Sequence, residues 1–151
     1  MAPINEPATI QQAKQFLQAY PIWQTQAAGF SQTLATKTHP ATSAASQADF
    51  ECQLRLKTLA AMRSLAEPDP LYAEILTDRF IKQLSIKQTC VAITDLKKYG
   101  YLTERSCNRY QNKALLLFAY ACPRNLIVNQ WPRWRTMVVR VAHFYLIRHL
   151  H

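Results

Sequence analysis

The 151-residue sequence contains only two glycines, Gly29 and Gly100. Glycine-rich phosphate-binding loops and most tight β-hairpins need backbone positions with positive φ, which glycine adopts most easily, so the sequence argues against both. It also has no run of about 18 apolar residues, and we predict no transmembrane helix. Helix-forming residues are abundant instead, above all Ala, Leu, Gln, Lys and Arg. The composition therefore predicts an all-α fold.

The four cysteines show no metal-binding pattern, since they form no C-x-x-C pair and no histidine lies at zinc-finger spacing. They are Cys52, Cys90, Cys107 and Cys122. Three of them fall in apolar helical stripes, where a free cysteine packs like a small hydrophobic residue. We therefore predict reduced thiols, no metal and no cofactor. Reduced thiols and the lack of a signal peptide also predict a cytoplasmic protein.

The acidic residues are few and scattered. They show no paired spacing, and no Ser/His/Asp or Cys/His arrangement stands out, so we predict a protein without enzymatic activity. Basic residues outnumber them, and the net charge is +9. Residues 78–113 carry eight Lys/Arg against three Asp/Glu, and residues 124–151 carry five Arg and no acid, whereas residues 1–60 are nearly balanced. This distribution indicates an anionic partner, nucleic acid or a membrane surface, unless it is merely a solvated basic face.

The N-terminal third of the chain predicts a helix, a linker and a second helix. Residues 1–22 form an N-terminal unit whose helix runs from Ala8 to Tyr20 and ends at Pro21. Residues 23–48 are predicted to be a linker, because a stretch rich in Thr, Ser, Ala and Gln with one charge buries too little to offset its ordering entropy. Asp49 is predicted to cap a helix that reaches about Ala66. Its two apolar stripes suggest contacts with two neighbours, one of them a second protomer.

Residues 49–122 show the order of elements found in helix-turn-helix domains. After the first helix, Asp69 is the predicted N-cap of the next one, and Pro70 is its first residue. Ser85 is the predicted cap of a short helix whose buried stripe is Ile86, Cys90, Ile93 and Leu96. Gly100 suits a left-handed turn residue, and Thr103 is the predicted cap of a longer helix. Helix, short helix, glycine-containing turn and longer helix together indicate a helix-turn-helix.

The last of these helices carries two faces. Cys107, Tyr110, Ala114, Leu117 and Ala121 recur at steps of three and four residues, as on a packed face. The opposite face carries the candidate base contacts Arg105, Asn108, Arg109 and Asn112. Arginine and asparagine form bidentate hydrogen bonds with guanine and adenine, and the first turns of a recognition helix enter the major groove. The candidate phosphate contacts are Arg79, Lys82, Lys87, Lys97, Lys98, Ser106 and Lys113. An ordinary amphipathic helix with a polar outer face is the alternative.

The segment RYQNKALLLFA, residues 109–119, resembles the end of the helix-turn-helix in the ArpU family of phage late-gene transcriptional regulators. The preceding ILTDRFIKQLSIKQTCVAI resembles the leading helices of that family, and the resemblance covers roughly residues 5–122. It implies a domain similar to region four of sigma factors, which binds a promoter or operator. It also supports a DNA role for Arg105, Arg109, Asn112 and Lys113. Two features depart from the family, a longer turn (KKYGYLTE) and residues 123–151.

Residues 123–151 are basic and aromatic and predict an extra C-terminal helix. This helix packs on the domain, forms a dimer or lies on a membrane surface. A homodimer through it or through the 49–66 helix stays open. The expected function is sequence-specific regulation of phage or prophage late genes by binding double-stranded DNA, with RNA polymerase as a further partner. The alternatives are an interaction module that docks on RNA polymerase and a DNA-packaging subunit similar to a small terminase.

Overall fold

The computed structural model describes residues 2–35 and 42–130 of the chain. Within these ranges the chain is all-α, as predicted, and its only β-type pairing is an isolated bridge between Ile4 and Asn129. The helices are α1 (Glu6–Gln18), α2 (Tyr20–Ala35), α3 (Thr42–Arg63), α4 (Asp69–Leu76), α5 (Ile86–Asp95) and α6 (Glu104–Ala121). A π-helical segment, Thr77–Ile81, continues α4 and is called the π segment below.

The prediction of a linker over residues 23–48 is wrong for the residues that the structure describes there. Helix α2 extends to Ala35, and α3 begins at Thr42, so that Asp49 lies inside α3 and does not cap it. The physical reason is tertiary, because α2 packs along α3 and so gains the burial that its composition alone does not supply. Ala45 and Ala48 are buried in α3. Small side chains that suggested a linker therefore serve close helix packing.

Two predicted helix ends also need correction, and both involve proline. Pro21 does not end the first helix but lies in the first turn of α2, where a missing N–H costs nothing. At the start of α4 the N-cap is Pro68, so Asp69 is the first helical residue and Pro70 the second. Proline is tolerated at every position of the first turn of a helix. Two nearby prolines therefore define the first residue of α4 only to within one position.

The main hydrophobic core joins α1, α3, α4 and α6. Its largest fully buried apolar residues are Leu17, Leu59, Met62, Leu76, Leu115 and Phe118. The ring of Phe16 in α1 lies 6.1 Å from that of Phe118 in α6. The N-terminal helix thus packs directly on the predicted recognition helix and shares its core.

A buried charged cluster ties α1 and α3 to the segment after α6. Glu51 and Arg55 are each 2% exposed, and Arg55 Nη1 lies 2.8 Å from Glu51 Oε2. Arg55 Nε donates to the carbonyl of Phe16, and Arg124 Nη2 lies 2.7 Å from Glu51 Oε1. Burial alone would raise the pKa of Glu51, but the hydrogen bonds from Arg55 and Arg124 outweigh it and lower the pKa.

Residues 122–130 form an extended strap across α1, so the helix predicted over residues 123–151 does not begin at Pro123. Leu126 is buried in the main core. The N–H of Asn5 donates to the carbonyl of Val128 at 2.8 Å, and the N–H of Val128 donates to Thr9 Oγ1 at 3.0 Å. The rest of the predicted helix lies outside the described residues.

Candidate nucleic-acid interface

Helices α4, α5 and α6 meet around a second hydrophobic cluster. Its buried members are Leu71, Ile75, Cys90, Ile93, Leu102 and Cys107. In the predicted stripe of α5, Cys90 and Ile93 are buried and Ile86 is partly buried, but Leu96 is exposed because α5 ends at Asp95. The rings of Tyr72 and Tyr110 lie 6.1 Å apart and join α4 to α6. This cluster sets α6 against α5 and α4.

The predicted cap of α5 is confirmed. The Ser85 side chain accepts a hydrogen bond from the N–H of Gln88, and the Gln88 side chain accepts one from the N–H of Ser85. This reciprocal pair is a capping box, which satisfies two N–H groups that the helix itself leaves unpaired. The sequence S-x-x-Q therefore determines where α5 begins.

The longer turn between α5 and α6 is anchored to its surroundings. Lys97 and Gly100 have positive φ angles of 57° and 73°, so the left-handed conformation predicted for Gly100 is confirmed. Leu102 is buried in the second cluster, and its N–H donates to Thr94 Oγ1 at 3.2 Å. Lys98 Nζ lies 2.9 Å from Glu67 Oε1, which joins the turn to the α3–α4 connection.

Helix α6 begins as predicted. The Thr103 hydroxyl accepts a hydrogen bond from the N–H of Ser106 at 3.1 Å, and Thr103 lies outside the helix with extended backbone. Of the predicted packed face, Cys107 and Ala114 are buried and Tyr110 and Leu117 are partly buried, whereas Ala121 is exposed.

The four predicted base contacts lie together on the outer face of α6. Arg105, Asn108, Arg109 and Asn112 are all exposed, and we call them the recognition strip. Their side chains form no hydrogen bond or ion pair with any other residue that the structure describes. The Arg109 guanidinium carbon lies 5.1 Å from the centroid of the Tyr110 ring, which holds the arginine stem against the helix. The strip therefore presents two guanidinium and two amide groups to the solvent.

The predicted phosphate contacts divide into three groups. Lys87, Lys97 and Lys113 are exposed and form no ion pair with described residues. Lys82 and Lys98 are also exposed but pair with Asp78 and Glu67, and the hydrogen bond to Glu67 raises the pKa of Lys98. Ser106 and Arg79 form the third group, since hydrogen bonds within the protein already occupy their side chains.

Arg79 and its partner Gln111 form a link that sequence reasoning missed. Arg79 Nε donates to Gln111 Oε1 at 2.8 Å, and Arg79 Nη1 donates to the carbonyl of Leu84 at 2.6 Å. Gln111 is only 6% exposed. A signal was present, because Gln111 follows Cys107 by four residues and precedes Ala114 by three, which places it on the packed face.

A groove of about 240 Å³ lies between α5 and the start of α6. Val91 and Tyr101 line it, and Tyr101 is 82% exposed. Lys87, Asp95 and Glu104 supply its charges, and Cys90 and Leu102 line its apolar part. Neither Val91 nor Tyr101 was a predicted site residue, because an isolated exposed apolar residue carries no pattern in the sequence.

All four cysteines are free and buried. Burial, together with the neighbouring Cys90 thiol, raises the pKa of Cys107 to about 12, so this thiol stays protonated at neutral pH. Among the described residues, no group of three or more His, Cys, Asp or Glu side chains is placed to hold a metal ion.

Comparisons of the chain with protein families, curated proteins and solved structures find no match. Among residues 2–35 and 42–130, none of the helices combines the length and the apolar character that a membrane span requires.

Proposed function

We propose that the protein is a cytoplasmic, sequence-specific DNA-binding regulator of phage or prophage late genes. In this proposal α5 and α6 act as a helix-turn-helix similar to that of sigma-factor region four. The observation that carries the DNA role is the recognition strip, four exposed side chains of base-reading types on the first turns of a capped helix. The link to late genes rests on the resemblance of residues 109–119 to the ArpU family.

The charges around the strip support the same proposal. Lys87, Lys97 and Lys113 are free to approach phosphates, which would supply most of the affinity and a steep dependence on salt. Each bidentate base contact from the strip would add about 1–3 kcal/mol of discrimination. The positions of these residues therefore fit a binding mode in which the lysines contact phosphates and the recognition strip contacts bases.

The test begins with selection of preferred sites from a pool of random duplexes by the purified protein. The double variant Arg109→Ala and Asn112→Ala should keep its fold, because both side chains are exposed, and should lose preference for the selected site. A matched control is Lys57→Ala with Asn125→Ala, one basic and one amide residue that are exposed outside α5 and α6, and it should keep the preference. The assignment fails if the folded strip variant retains the preference of the unaltered protein.

An interaction module that docks on RNA polymerase is the second candidate. The groove favours it, because Val91 and Tyr101 leave apolar surface exposed beside the carboxylates of Asp95 and Glu104. A protein without salt-dependent affinity for any duplex, combined with loss of polymerase binding in Tyr101→Ser, would support this candidate over the DNA regulator.

A homodimer remains part of the proposal, since two copies would double the phosphate contacts and set the spacing of half-sites. The described surface that fits is the outer side of α3, where Phe50 is 54% exposed. The other proposed interface, the C-terminal helix, lies mainly outside the described residues. We expect Phe50→Glu to convert the dimer to a monomer in analytical ultracentrifugation, whereas Gln12→Glu on α1 should not. A dimer that survives Phe50→Glu excludes the α3 interface.

A further inference from the structure

Arg79 occupies the centre of the π segment, between α4 and α5. Its guanidinium group reaches in two directions, towards the side chain of Gln111 at 2.8 Å and towards the backbone carbonyl of Leu84 at 2.6 Å. Leu84 directly precedes Ser85, the cap of α5. One side chain therefore joins the centre of the π segment, the residue before the α5 cap and the second turn of α6.

Gln111 lies on the side of α6 that faces away from most of the recognition strip. Consecutive residues of an α-helix are rotated by about 100°, so Asn112, Arg105 and Arg109 lie about 100°, 120° and 160° around the helix from Gln111, and an inward Gln111 turns them towards the solvent. Gln111 is the only polar residue among the buried residues of α6 within the described chain. The rotation of α6 about its own axis is thus coupled to the position of the Arg79 guanidinium.

Hydrogen bonds fix the rotation of a helix about its axis better than apolar contacts do. Apolar side chains tolerate small slips of a helix, whereas a hydrogen bond weakens steeply when its geometry changes. The guanidinium group is planar and its donors are fixed, so two simultaneous bonds admit one arrangement of donor and acceptors. A slip of α6 would also leave the Gln111 amide buried without a partner, which is unfavourable.

We propose that Arg79 and Gln111 are positioning residues that fix the rotation of α6 relative to the start of α5. Base selection by the recognition strip then depends on this link, and Arg79 is not a phosphate contact. The inference rests on the proposed DNA-binding function, because it concerns how the strip is presented.

The experiment compares the unaltered protein with Arg79→Met, Gln111→Met and the double variant. Methionine keeps the volume of each side chain and removes its hydrogen bonds. Affinities are measured for the duplex selected by the unaltered protein and for an unrelated duplex. In each single variant we expect the affinity ratio between the two duplexes to fall by about tenfold, the effect of losing one base contact. The double variant should lose no more, because both residues act through one link.

Two further variants separate geometry from charge. Arg79→Lys keeps the charge but has no planar fork to bridge both acceptors, so we expect it to behave as Arg79→Met does. Lys87→Met, at an exposed residue of α5 that forms no ion pair with described residues, should weaken binding to both duplexes alike. The proposal is overturned if Arg79→Met acts as Lys87→Met does, with a smaller salt dependence, while Gln111→Met has no effect. It is also overturned if folded variants lose thermal stability but keep the affinity ratio.

Hydrogen exchange distinguishes this inference from the proposed function. Without DNA, we expect Arg79→Met and Gln111→Met to speed amide exchange over residues 104–112 of α6 relative to the unaltered protein. If no duplex is preferred by the unaltered protein, the proposed function fails. Unchanged exchange in both variants refutes the positioning link whatever the protein binds.

Discussion

Arg55 is a charged residue in the interior, and its surroundings explain why it is stable there. Its guanidinium group pairs with Glu51, donates to the Phe16 carbonyl and lies 3.8 Å above the Phe16 ring. Removing it leaves Glu51 buried with Arg124 as its remaining cationic partner. We expect Arg55→Met to lower the free energy of unfolding by about 3 kcal/mol, because the buried Glu51 carboxylate and the Phe16 carbonyl both lose hydrogen bonds from Arg55.

Urea denaturation measures this loss. Lys57→Met is the control, since Lys57 is exposed on the same helix and should change stability little. Equal stability of the two variants would show that methionine at this position stabilises the fold as well as the Arg55–Glu51 pair does.

Cys107 predicts a dependence of stability on alkaline pH. Its pKa is raised from 9.0 to about 12 in the folded protein, chiefly by burial. The thiol is neutral in both the folded and the unfolded protein below pH 9, so it does not reduce stability there. Between pH 9 and about 12 the thiol ionises only in the unfolded chain, which stabilises the unfolded state and lowers the free energy of unfolding. The free energy of unfolding should therefore fall more steeply over this range than in Cys107→Ala. If the free energy of unfolding depends on pH in the same way for both proteins, the raised pKa of Cys107 is contradicted.

Among the elements, the turn between α5 and α6 contains two residues with positive φ, but only one of them is glycine. An added Cβ at Gly100 meets no atom within 4 Å, so backbone strain alone opposes a larger residue there. We expect Gly100→Ala to lower the free energy of unfolding by about 1 kcal/mol. Lys97→Gly should raise it by about 0.5 kcal/mol, because the backbone strain that glycine relieves outweighs the extra entropy that it gives the unfolded chain.

Thermal denaturation of the two variants checks both signs, and a shift in the same direction for both would disprove the strain argument. If Lys97 also contacts phosphate, Lys97→Gly will bind DNA more weakly although it is the more stable protein. The two measurements therefore separate the conformational role of Lys97 from its charge.

At the scale of the whole molecule, the strap of residues 122–130 closes the fold by joining the end of α6 to the start of α1. It contributes Arg124 to the buried charged cluster and Leu126 to the main core. We expect the free energy of unfolding to be about 2–4 kcal/mol lower for a chain of residues 1–123 than for a chain of residues 1–130. Comparing these two chains by urea denaturation isolates the strap. Equal stabilities would mean that the strap only covers the surface.

The sequence by itself determined the features that depend on neighbours a few residues apart. The Ser85 and Thr103 caps and the left-handed Gly100 are local, because each involves hydrogen bonds or backbone angles within one turn. The outward position of the recognition strip follows from helical periodicity in the same way. Its contact with DNA stays a prediction.

Only the tertiary structure decided what depends on residues far apart in the chain. Helix α2 forms where composition indicated a linker, because α3 supplies the burial that its own sequence lacks. Arg79, predicted from its charge to lie on the surface, is instead bonded to Gln111, 32 positions away. The strap pairs residues 119 positions apart, Thr9 with Val128. Such pairings leave no periodic signal in the sequence, since their energy appears only when the chain is folded.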